Sequence, residues 1–194
     1  LQKKDNYALI NDKLKKRFKT NNFNGKLISI KLREYLKIKS KINNIYLKST
    51  ANDENMSFVF SLSRQLKIRD IDFIRTMKSF KGLPHRYEIF LKYKNVTFIN
   101  DSKATSFQAT KFALANCKNI FWILGGLPKY KDKLMLKELK SNIIKSYIIG
   151  KNVNFFEPYL KKNFIKYSIS KNLKRSLLDV SKDIKLFKKS NNVI

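Results

Sequence analysis

Val96-Thr97-Phe98-Ile99-Asn100-Asp101-Ser102-Lys103-Ala104-Thr105 is the stretch on which the reading of this chain turns. A β-branched and aromatic run stops at a polar cluster, and a helix-forming segment follows. The cluster holds an acid, a lysine and two hydroxyls within five residues. In an open α/β sheet, ligands bind at the turns that leave the carboxyl ends of strands. A carboxylate there can grip ribose hydroxyls, and a lysine can hold an anionic group. Asn, Asp, Ser and Thr are also ordinary turn formers and helix caps. The predicted helix directs its positive end toward Lys103, which favours a nearby anion. Function therefore outweighs capping for Asp101 and Lys103, and the two readings balance for Ser102 and Thr105.

Outward from this turn, strands alternate with helices. Tyr87–Tyr93 and Asn95–Ile99 read as a hairpin or two successive strands, and a helix covers about 105–115. Ile120–Leu124 is a buried-type strand ending in Gly125-Gly126. A helix carrying Leu136, Leu139 and Ile143 is expected next, then strand Ser146–Ile149, a further helix, and strand Ile165–Ile169. Ser170 is placed to cap a helix bearing Leu173, Leu177, Val180 and Ile184. Phe155, Phe156, Tyr159 and Phe164 read as core packing. Asn192-Val193-Ile194 looks like the start of one more strand, so a domain cut there would lack its last unit. Such alternation implies βαβ units and a largely parallel sheet, hence an α/β fold.

Toward the amino terminus the pattern is less regular. Tyr7–Ile10 and Lys26–Ile30 read as strands, separated by a basic helix with Leu14 and Phe18 on one side and the turn cluster Asn21–Gly25. The run from Arg33 to Lys48 is basic and ambiguous. A helix is expected from Asn52 or Asp53, with Met56, Val59, Ser63 and Leu66 at helical spacing. Another follows Asp70, with Phe73, Met77 and Phe80 on one face. Gly82-Leu83-Pro84-His85-Arg86 breaks the pattern and reads as a hinge.

Composition narrows the classes. The chain has 194 residues, enough for one large domain or two small ones, and at 43% hydrophobic it can bury a core. No run reaches the roughly 18 apolar residues of a membrane helix. Leu1-Gln2-Lys3-Lys4-Asp5 has neither an initiator Met nor a signal-peptide core, so a soluble fragment is expected. Cys117, the only cysteine, excludes an intrachain disulfide framework. The formal net charge of +29 raises nucleic acid and anionic membranes as partners. Lysines occur in nearly every segment beside Asn and Ile, and no zinc-finger spacing or RNP-type motif accompanies them. The charge therefore reads as a solvated basic surface, with no specific nucleic acid and no membrane as partner.

Gly125-Gly126-Leu127-Pro128-Lys129 ends the strand after the opening turn. Its glycines permit a tight turn or close approach to a ligand, and Lys129 is placed to meet the same anion as Lys103. A plain strand–helix turn is the ordinary alternative. The G-x-x-x-x-G-K-[ST] phosphate loop appears nowhere. His85, the only histidine, has no metal partner and reads as a hinge or packing residue. Arg86 offers a planar fork of donors to a phosphate, or else a surface ion pair with Glu88 or Asp101. Asn52-Asp53-Glu54-Asn55 opens a helix as a cap, or presents amides suited to adenine.

Together, Ala51–Asn55, Phe80–Arg86, Phe98–Thr105 and Ile123–Gly126 resemble the Mur ligases. Leu83-Pro84-His85-Arg86 and Asn100-Asp101-Ser102-Lys103-Ala104-Thr105 carry the resemblance, and the Asn-x-x-Asn and Gly-Gly strings corroborate it. It implies residues 1–82 as the end of a central ATPase domain. Residues 83–194 would be a Rossmann-like C-terminal domain lacking its last unit. The implied activity is ATP-dependent joining of D-glutamate to UDP-N-acetylmuramoyl-L-alanine through an acyl phosphate, in peptidoglycan synthesis. By the same carry-over, Asn52 and Asn55 would lie near adenine, Arg86 and Asp101 would bind the nucleotide, and Lys103, Thr105 and Lys129 would face D-glutamate. Lys103 and Lys129 would also act in catalysis, neutralising developing charge. ATP and Mg2+ are the implied cofactors. The magnesium ligands, phosphate loop and modified lysine would precede Leu1, and a Ser-Pro-Ala-type loop would follow Ile194. A cytoplasmic bacterial monomer is expected, with this chain silent on its own. Ser106 stands where the family usually has Asn, and Leu127-Pro128 replaces a more usual Asp-Gly. A basic nucleic-acid-binding α/β domain and a sibling Mur or folate-type ligase remain as alternatives.

Overall fold

A computed structural model describes residues 3–4, 6–18, 25–129, 131–187 and 189–194, apart from the side chains of residues 17, 18, 50 and 51. The expected turn at Asn21–Asn24, the packing of Phe18 and the first two residues lie outside the described set. The chain divides into two compact units, Leu1–Lys81 and Gly82–Ile194.

In the first unit, β1 (Tyr7–Asn11) and β2 (Lys26–Ile30) pair in parallel, with α1 (Lys15–Phe18) between them in sequence. The ambiguous basic run becomes helix α2 (Leu32–Ile42). Tyr35, Ile38 and Ile42 bury one side of it, while most of its lysines stay in water. Asn43, at φ 40°, ends it in the left-handed conformation. Helix α3 (Thr50–Gln65) starts earlier than the sequence predicts, because Ser49 is the cap and its Oγ accepts from Asn52 N at 3.1 Å. Its buried side is Asp53, Met56, Ser57, Phe60 and Ser63. Val59 and Leu66, expected on that stripe, are 44% and 65% exposed. The Phe60 ring sets the facing, packing 5.0 Å from Phe73 of α4 (Asp70–Ser79). Met77 and Phe80 close the same core, as the spacing from Phe73 predicts.

The second unit holds a six-stranded sheet in the order β3-β4-β8-β5-β6-β7. Strands β3 (Glu88–Tyr93) and β4 (Val96–Asn100) form an antiparallel hairpin. Strands β5 (Ile120–Gly125), β6 (Ile143–Ile149), β7 (Tyr167–Lys171) and β8 (Asn191–Val193) run parallel to β4. Helix α5 (Phe107–Asn116) links β4 to β5, α6 (Val153–Lys162) links β6 to β7, and α7 (Leu173–Lys185) returns from β7 to β8. Right-handed crossovers in opposite directions put α7 on the other face from α5 and α6. Val180 of α7 packs in one core cluster with Phe121, Tyr147 and Val193 of the sheet, and Phe187 lies edge-on to Phe121.

The terminal residues read as a beginning strand form β8, and it lies inside the sheet. It slots between β4 and β5, held at its start by asparagines. Asn95 Nδ2 donates to Lys189 O, Asn119 Nδ2 to Ser190 O, and Asn192 Nδ2 to Lys118 O, each at 2.7–2.9 Å.

Four local expectations are corrected. No α-helix carries Leu136, Leu139 and Ile143. Leu134 and Leu136 are buried while Met135 is 77% exposed, the alternation of an extended segment, and only the short turn Lys140–Asn142 precedes β6. Ser170 does not cap α7. It lies within β7, buried, with its Oγ donating to Asp179, and Asn172 caps instead by accepting from Arg175 N at 2.9 Å. Leu173 and Leu177 are 55% and 42% exposed, because α7 turns Ser176 and Val180 to the sheet. Phe164 is 90% exposed at φ 56°, whereas Phe156 packs inside.

Candidate active site

The site is assembled at the carboxyl edge of the second unit's sheet. The turn after β4 carries Asp101, Lys103 and Thr105, and the turn after β5 carries Gly125-Gly126 and Lys129. The end of β8 lies between them. Because β3 runs antiparallel to β4, with Glu88 opposite Asn100, the His85–Tyr87 segment lies against the same turn. Lys103 N donates to His85 O at 2.9 Å, and Tyr87 N donates to Asp101 Oδ1 at 2.9 Å. Asn100 Nδ2 lies 2.8 Å from His85 Nδ1, and Asn100 Oδ1 accepts from Ser102 N at 3.2 Å. His85 is thus an exposed partner of Asn100, not a packed side chain.

Helix capping is done by Ser106, whose Oγ accepts from Ala109 N at 3.4 Å. No side chain from Asn100 to Thr105 serves as the N-cap of α5, so Ser102 and Thr105 are exposed without that duty. The anion at the positive end of α5 is internal. Asp132 Oδ2 accepts from Phe107 N at 3.0 Å. The sequence reading missed Asp132, which lies in a run of lysines distant from the motif. Burial raises the carboxyl of Asp101, and the Tyr87 amide and the nearby Arg86 charge act against that rise. Arg86 is exposed, and no ion pair links it to Glu88 or Asp101 among the described residues. Glu88 instead accepts from His85 N at 2.8 Å.

The two glycines have different reasons. A Cβ at Gly125 would stand 2.7 Å from Ile149 Cγ1 and closer still to that residue's carbonyl oxygen. Gly126 has open space but sits at φ +98°, a conformation that L side chains rarely adopt. Lys103, Thr105 and Lys129 are exposed on the turns these constraints shape.

In the first unit, Asn52 and Asn55 lie one turn apart on α3, three residues being neighbours on a helix surface. Asn52 Nδ2 donates to Tyr46 O at 2.8 Å, and Asn55 is exposed. Asn52 is therefore not the cap of its helix. Among the described residues, no group of three or more His, Cys, Asp or Glu gathers in a way that could hold a metal ion. No helix of the described residues is long and apolar enough to cross a membrane.

Comparison with known proteins shows what this stretch of chain is similar to. The chain is 38% identical over 107 residues to the UDP-N-acetylmuramoylalanine--D-glutamate ligase of Wolbachia sp. subsp. Brugia malayi (strain TRS), covering 55% of this chain and 22% of that protein. It is likewise 38% identical over 129 residues to the ligase of that name from Francisella tularensis subsp. tularensis (strain SCHU S4 / Schu 4), covering 64% of this chain and 31% of that protein. No family model matches. Over this matched stretch the chain is similar to D-glutamate ligases, and the match spans less than a third of their length.

Proposed function

We propose that this chain is part of an ATP-dependent ligase that joins D-glutamate to UDP-N-acetylmuramoyl-L-alanine in peptidoglycan synthesis. The observation that carries the reading is the turn after β4. Asp101 through its carboxylate and Lys103 through its backbone N–H are each hydrogen-bonded to the segment bearing Arg86, in a stretch of chain similar to D-glutamate ligases. In such a ligase ATP supplies the phosphoryl group that activates the acceptor carboxylate. Arg86 offers its fork of donors to the nucleotide phosphates, and Asp101 offers an acceptor to ribose hydroxyls. Asn52 keeps its amide oxygen and one amide hydrogen for the adenine edge, with Asn55 beside it. Lys103, Thr105 and Lys129 bind the carboxylates of D-glutamate and neutralise charge that develops as its amine attacks. Magnesium is assigned to none of these residues. The nucleotide and nucleotide-sugar substrates place the reaction in the bacterial cytoplasm.

The test is ADP release by a protein carrying this chain, supplied with ATP, magnesium, UDP-N-acetylmuramoyl-L-alanine and D-glutamate. Lys103→Ala is expected to lower kcat/KM about a hundredfold, the scale of one lost transition-state contact. ADP release that does not depend on D-glutamate would sink the reading.

A further inference from the structure

Lys129 is useful to the candidate site only if its turn is held in register with the turn after β4, and the strand frame alone does not do this. Among the described residues between Gly126 and Lys140, none lies in a helix or strand. Two kinds of anchor hold this segment. Leu134, Leu136 and Leu139 sink into the core, at 6%, 1% and 5% exposure. Asp132 makes the other. Its carboxylate accepts from Phe107 N at 3.0 Å, and its own N–H donates to Lys129 O at 3.0 Å. One residue thereby joins the first turn of α5, directly after Lys103, Thr105 and Ser106, to the backbone of Lys129. The helix end reinforces the contact, because its free N–H groups and partial positive charge favour a carboxylate.

We propose that Asp132 is a positioning residue, which fastens the Lys129 turn to the Lys103–Thr105 turn and so sets the spacing of the side chains that receive the amino-acid substrate. The inference rests on the ligase reading of those three side chains. The register is taken from Asp132 and not from the two residues before Lys129.

The test uses the ligase carrying this chain, with Asp132→Ala and Asp132→Asn beside Lys129→Ala. Asn keeps an acceptor oxygen for Phe107 N, and Ala does not. Asp132→Ala is expected to raise the KM for D-glutamate about tenfold, leaving the KM for ATP unchanged, and Asp132→Asn is expected to recover most of that loss. Protection of the Phe107 amide from hydrogen exchange should fall in Asp132→Ala and return in Asp132→Asn. A purely structural cap would change thermal stability and Phe107 protection without moving the D-glutamate KM selectively. If Lys129→Ala raises that KM and Asp132→Ala does not, the positioning role is overturned and the ligase reading stands. If neither variant moves it, the assignment of Lys129 falls and the positioning role falls with it.

Discussion

At the scale of single residues, Gly125 and Gly126 make opposite demands that substitution separates. Gly125→Ala forces a methyl group into Ile149 of the neighbouring strand, in space already filled, and is expected to destabilise by about 1–3 kcal/mol or more. Gly126→Ala meets nothing and costs only the strain of positive φ, about 1 kcal/mol. Denaturant unfolding of the two variants ranks them. Asp101 makes a prediction about pH. Burial raises its carboxyl, so the folded state favours the neutral form. That contribution is complete below the unfolded value of about 3.9 and is lost as pH rises through the higher folded value. Asp101→Asn keeps an oxygen for Tyr87 N and removes the buried charge. It should melt above the native chain at pH 7, with the difference shrinking toward pH 3. A difference that grows toward acid would contradict this. Asp101 and Lys103 were legible in the sequence because acid, hydroxyl and lysine stand together behind a strand. Asp132 was not, because its significance comes from a hydrogen bond to a residue 25 positions earlier.

At the scale of elements, buried polar ties decide more than apolar periodicity. Asn44 Nδ2 donates to Met77 O at 2.9 Å and Phe80 O at 2.7 Å, so it closes the end of α4 from the turn after α2. Asn44→Ala leaves those carbonyls without that donor and is expected to cost about 1–3 kcal/mol by thermal or chemical unfolding. In the second unit, α7 is fixed by Asp183, which accepts from Lys145 at 2.8 Å and Tyr147 at 2.5 Å. Burial pushes its carboxyl up, but those two hydrogen bonds and the Lys145 charge outweigh it, and the net shift is downward. The stability this provides is present above the unfolded value of about 3.9 and is lost as pH falls through the lower folded one. Tyr147→Phe should cost about 1.5–3 kcal/mol at pH 7, and the stability lost as pH falls through the Asp183 titration should shrink, because the folded value moves back toward the unfolded one. One misread position follows from a polar tie and another from a ring contact. Ser170 resembles a cap by composition, yet its hydroxyl is committed to Asp179. Val59 keeps the helical spacing, yet the Phe60 ring turns the helix toward Phe73.

At the scale of the whole molecule, the second unit depends on its last strand. With β8 in place, β4 and β5 belong to one sheet, and Val193 lies at 4% exposure in one core cluster with Val180 of α7. Removing residues 191–194 would leave β4 and β5 without the strand between them. Cooperative unfolding of this unit should be lost, seen as a broadened thermal transition and loss of amide protection in β4 and β5. Charge is the other global property. At +29 the chain will attract polyanions at low salt. A solvated basic surface predicts non-specific duplex DNA binding that collapses by about 0.2 M salt, and tight sequence-selective binding there would favour the alternative reading. What the sequence determined by itself was the local grammar: alternating strands and helices, the polar turn after Val96–Ile99, and the Gly-Gly turn. Each is set by residues adjacent in the chain, through backbone preference and side-chain period. Tertiary structure alone decided that the terminal strand enters the sheet interior and that an irregular loop replaces the expected helix before β6. It also decided that Asp132 takes the α5 end. These outcomes depend on which buried groups find partners across long stretches of sequence, and no local pattern encodes that choice.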